Sequence, residues 1–122
     1  MKFVVLLTLL MVSWPGTAHE LTPTYFELKS SYIESVYRVN LETWNARGDV
    51  EYYKIEATDK DWNPVPFLTA KKVFKLEHLQ RRDIEVFFPF ETSVTYICTK
   101  SLLRKGSSQK SIISSKVCSK IK

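Results

Sequence analysis

The stretch that decides the fold is Arg82-Asp83-Ile84-Glu85-Val86-Phe87-Phe88, closed by Pro89. Ile84, Val86 and Phe88 recur at every second position, with Asp83 and Glu85 between them. That period puts three apolar side chains on one face and the acids on the other, as in a strand half in a core and half in water. Pro89 has no amide proton to give to a ladder, so the run ends there.

The same period returns on both sides of this run. Residues 36–44 place Tyr37, Val39 and Leu41 on one face and Arg38, Asn40 and Glu42 on the other. Residues 50–58 set Tyr53, Ile55 and Ala57 against Lys54 and Glu56. Shorter runs at 21–28 and 73–76 also read as strands, as do 93–103 and 110–121. Turn chemistry separates them: Asn45-Ala46-Arg47-Gly48-Asp49, the stretch 59–66 with its two prolines, Glu77-His78-Leu79-Gln80, and 104–109 around Gly106. About seven short strands at this spacing predict an all-β, immunoglobulin-like sandwich.

The 18 Lys and Arg outnumber the 13 Asp and Glu, giving a net charge of +5, and the excess is concentrated late in the chain. After Glu91 there is no acid, while Lys100, Arg104, Lys105, Lys110, Lys116, Lys120 and Lys122 follow. At the other end, Lys2 precedes a run of apolar residues from Phe3 to Trp14, broken by Pro15 and Gly16. The run is too short to span a bilayer as a helix. With Gly16-Thr17-Ala18 behind it, it reads as a signal peptide over residues 1–18, cleaved to leave His19 first. The expectation is therefore an exported chain, periplasmic or secreted, with residues 19–122 forming one sandwich and no membrane span after cleavage.

Export also interprets the cysteines. Cys98 and Cys118 are the only two, and an oxidising compartment favours a disulfide between them. If the last two strands pair about a centre near Ser108, positions 98 and 118 face each other. A bridge there is easiest at a non-hydrogen-bonded pair, where antiparallel chains come closest. It would staple the C-terminal hairpin to itself rather than join the two sheets.

Several segments carry a resemblance. They are Leu21-Thr22-Pro23-Thr24, Tyr37-Arg38-Val39-Asn40-Leu41, Asn63-Pro64-Val65-Pro66-Phe67, and the run from Val73-Phe74-Lys75-Leu76 through Gln80 to Ile84-Glu85-Val86. Their order over residues 21–100 resembles the N-terminal immunoglobulin-like domain of periplasmic pilus-assembly chaperones, the partners of outer-membrane ushers. The resemblance implies a protein partner, such as a pilin-like or envelope subunit, bound by strand pairing. The family uses a first-strand arginine and a last-strand lysine to hold a carboxylate, and it has two such domains. Tyr25 stands near the arginine's position, and the lysine would be Lys110 or Lys116.

Three sets of residues are candidates for function. The basic last hairpin, with Arg104, Lys105, Lys110, Ile113, Lys116 and Val117, offers cations and an edge strand suited to β-augmentation; lysines on an edge also deter unwanted pairing. His19, as a new N-terminus, offers an amine and an imidazole to copper, with His78 the only other histidine. Arg47-Gly48-Asp49 matches an adhesion tripeptide, although its Gly and Asp are explained by the turn. No nucleophile motif, zinc spacing or phosphate loop occurs, and three glycines cannot build a phosphate cradle. The chain reads as a non-enzymatic binding module with no cofactor and no nucleic-acid partner. The alternatives are a small copper-binding protein and a secreted structural or host-interaction protein.

Overall fold

The computed structural model describes residues 19–102 and 114–122. The expected leader at 1–18 lies outside the described residues, as do Arg104, Lys105, Lys110 and Ile113 of the candidate binding set. Two sheets face one another. The first has the order β1 (His19–Thr22), β4 (Val36–Asn45), β8 (Arg81–Pro89) and β6 (Leu68–Thr69), with β3 (Lys29–Ser30) also pairing with β4. The second has the order β2 (Tyr25–Phe26), β10 (Lys116–Ile121), β9 (Tyr96–Leu102), β5 (Tyr52–Thr58) and β7 (Val73–Lys75). The fold is the all-β sandwich that the alternation predicts.

The period-two faces fall where the sequence places them. Val39 and Leu41 of β4, Tyr53, Ile55 and Ala57 of β5, and Ile84, Val86 and Phe88 of β8 are all buried. Phe26, Leu76 and Ile97 fill the space between them, each fully buried. This interlocking apolar layer supplies most of the drive to fold.

The first strand departs from its reading. Instead of one run over 21–28, the chain makes β1 antiparallel to β4, passes through a cis Thr22–Pro23 peptide, and makes β2 parallel to the end of β10. One short segment thus serves both sheets. Pro23, unable to donate to a ladder, stands at the crossing. The strands β3 and β6 have two residues each, too few to leave a periodic signal.

A polar hub closes one end of the sandwich. Asn45 is fully buried, and its Nδ2 donates to the carbonyls of Val50 and Leu76, both at 2.8 Å. Its Oδ1 accepts from the Arg47 amide at 2.9 Å and the Tyr53 hydroxyl at 2.5 Å. This one side chain shapes the 45–49 turn and ties it to β5 and to the segment after β7. In the same turn the Arg47 guanidinium grips the Asp49 carboxylate with two nitrogens, so both charged members of the Arg-Gly-Asp tripeptide are engaged with each other.

Candidate functional site

The last hairpin is built by register. Lys116 faces Lys100, Val117 faces Thr99 and Cys118 faces Cys98. The ladder is therefore centred on 108, and the two cysteines are bridged with their Cα atoms 4.0 Å apart. The Ser101 amide donates to the Ser115 carbonyl and the Ile121 amide to Thr95, so odd positions of β10 bond to β9. Position 118 falls between them, in a non-hydrogen-bonded pair.

Even positions of β10 point their backbone groups the other way. Lys120 and Lys122 donate to the carbonyls of Thr24 and Phe26, 3.0 and 2.9 Å away. The ladder with β2 takes in only Lys120 and Ile121 of β10. Among the described residues, no strand pairs with Lys116–Ser119 on that side, because β1 belongs to the other sheet. The hairpin therefore has an edge without a ladder partner at Lys116 and Cys118, with β1 passing beside it through His19–Ser115 and Ser119–Pro23 contacts.

Of the candidate residues that are described, Lys116 is exposed on the outer face, its Nζ 3.5 Å from Glu56. Val117 is partly buried and packs on the sandwich's own core, so its side chain serves the fold. Tyr25, near the family's arginine position, is 59% exposed.

His19 is buried and bridges the sheets. Its Nε2 lies 3.0 Å from the Thr99 carbonyl and 2.9 Å from the Thr99 hydroxyl, and its Nδ1 lies 3.0 Å from the Ser115 hydroxyl. A carbonyl can only accept, so Nε2 carries the proton, and in the neutral ring Nδ1 accepts from Ser115. The ring also packs against Tyr53, 4.8 Å between centroids. Burial holds the His19 pKa below its ordinary value, with nearby Arg47 acting in the same direction. His78 has other surroundings, beside Gly48 in the neighbouring turn. Among the described residues, no group of three or more His, Cys, Asp or Glu is arranged to hold a metal ion.

Sequence reasoning missed the site's aromatic side. Trp62 lies flat on Tyr96, centroids 4.0 Å apart and planes 7° apart. The Lys116 and Lys120 ammonium groups lie over these two rings, at 5.3 and 6.0 Å. The Asp59 side chain sets the loop by accepting from the amides of Asp61 and Asn63, both at 2.9 Å. These bonds hold the Asp59 carboxyl below its usual pKa range. An Asp followed by polar residues and a proline was a legible turn, but nothing periodic indicated where its tryptophan would lie.

No family model matches the chain, and no curated protein matches it. Solved structures do. The chain is similar to a chain of the Salmonella enterica SafA pilin in complex with the SafB chaperone, with a TM-score of 0.62 and 17% identity, covering 84% of this chain and 52% of that one. It is also similar to the E. coli chaperone DraB, with a TM-score of 0.60 and 18% identity over the same shares. The fold is shared with pilus-chaperone structures. The chain spans about half the length of these solved structures.

Proposed function

We propose that this protein is an exported, non-enzymatic binding module that recognises a protein partner by strand pairing along the open edge of β10. The observation that carries the reading is the side of Lys116–Ser119 away from β9, which has no ladder partner among the described residues, flanked by the short ladder to β2 and backed by a disulfide-stapled hairpin. An added strand would find outward backbone groups at Lys116 and Cys118, with the hairpin's register already set. In such a mode the main chain supplies affinity and alternate side chains supply choice.

The likeness to a chaperone structure solved with a pilin supports a pilin-like or envelope subunit as the partner. The apolar leader supports a periplasmic or secreted location. Among the described residues, no helix is long and apolar enough to cross a membrane.

The test is capture from the organism's own envelope fraction, with the native protein beside a Lys116→Pro variant. Proline removes an outward amide and deters pairing at an edge while leaving the β9 side intact. The native protein is expected to retain a discrete partner and the variant to lose it with its fold preserved. Equal capture by both would reject strand pairing at this edge.

A further inference from the structure

Beside β5, on the outer face of the second sheet, lies a groove of about 540 Å³ lined by Lys54, Glu56, Trp62, Phe67, Lys72 and Lys116. We propose that this groove binds an acidic carbohydrate chain. The groove meets the β10 edge at Lys116, whose side chain lines it while its backbone faces the edge, and the proposal does not depend on the strand-pairing reading.

Three observations converge on it. The first is charge. Lys54, Lys100 and Lys116 stand directly opposite one another across three strands, an arrangement in which like charges destabilise a sheet. Among the described residues lining the groove, Glu56 is the one acid, 3.5 Å from Lys116, against the three lysines Lys54, Lys72 and Lys116. Lys54 and Lys116, the two ends of that row, line the groove, and an anion placed there would offset their charge.

The second observation is strain. Trp62 has φ of 65°, a left-handed conformation rare for a bulky residue and costly to hold. The loop holds that geometry and leaves Trp62 51% exposed with its indole stacked on Tyr96. A buried tryptophan would repay its placement through the core. This one presents an apolar surface at the rim of a cationic groove.

The third observation concerns the backbone bordering the groove. The Ile55 amide is taken by the Lys72 carbonyl at 2.8 Å, and the Ala57 carbonyl accepts from the Val65 amide at 3.0 Å. An extended peptide therefore finds only an interrupted ladder here. Recognition falls to ring surfaces and ammonium groups. A sugar chain suits both, since its C–H faces pack on aromatic rings while its carboxylate or sulfate groups meet lysines. Lys72 over Phe67, 4.8 Å from the ring centroid, repeats the pairing of cation and ring on the far wall. A bilayer surface is flat and would not enter the groove.

The purified protein should be titrated with a polygalacturonate oligomer at low salt, following the Trp62 indole resonance and the heat of binding. Poly-L-glutamate, a neutral galactan and phosphatidylglycerol vesicles serve as comparisons. The acidic sugar is expected to bind and shift the Trp62 signal. A Lys54→Gln/Lys72→Gln variant should lose about tenfold in affinity. Trp62→Gly, which suits the left-handed backbone, should also lose about tenfold while remaining folded. The proposal is overturned if the sugar does not bind, or if poly-L-glutamate or the vesicles bind as well as it does. It is also overturned if Trp62→Gly binds like the native protein.

Discussion

Asn45 spends every polar atom of its side chain inside the fold, and that makes it the residue most sensitive to truncation. Asn45→Ala would leave two carbonyls, an amide and a hydroxyl to find other partners in a buried setting. The expected loss is about 3 kcal/mol by denaturant unfolding. Tyr53→Phe removes only the hydroxyl, whose pKa burial pushes up to about 12, and should cost about 1 kcal/mol. His19 adds a pH dependence. Its folded-state pKa is held below the ordinary 6.5, mainly by burial, so as pH falls the unfolded chain takes up the proton first. The stability from the neutral ring is complete above about pH 6.5 and is lost as pH falls through the lowered folded value. Unfolding curves of a His19→Gln variant should show a flatter dependence below about pH 6.5 than the native protein, above the range where carboxylates titrate.

At the scale of elements, the hairpin of β9 and β10 was the most legible part of the fold. Two cysteines obliged to face each other set its centre, and the observed ladder has that register. The alternating runs of β4, β5 and β8 were legible for a similar reason, since each is long enough for period two to show which face is buried. The first strand was not, because residues 21–26 divide between two sheets within a few positions and the alternation does not record which sheet each serves. The site was half legible. Its basic strand could be named, but the open edge at Lys116 and Cys118 depends on where β2 stops pairing, and the groove depends on a loop's backbone angle. The bridge itself closes a loop of sequence separation 20. Replacing both cysteines by alanine should cost about 3 kcal/mol on the chain-entropy account, measured by chemical denaturation.

Across the whole molecule, the outer faces of the two sheets differ in charge. Lys54, Lys100, Lys116 and Lys120 stand on the second sheet, whereas Glu42 faces Asp83 and Glu85 faces Asn40 on the first. The two proposed contacts should therefore respond differently to salt. Pairing at the β10 edge rests on backbone bonds and should survive about 0.5 M salt, while binding in the lysine groove should weaken steeply, because exposed charges are screened. Charge reversal at Lys54 and Lys72 should likewise leave capture of the protein partner intact, as a side-by-side pull-down would show. Pairing along β10 is read most directly by amide hydrogen exchange of that strand, residue by residue, free and with the captured partner. Val117 and Ser119, already bonded to β9, should be protected in both states, while Lys116 and Cys118 should exchange readily when free and become protected in the complex. If those two amides exchange equally in both states, the partner does not pair along this edge.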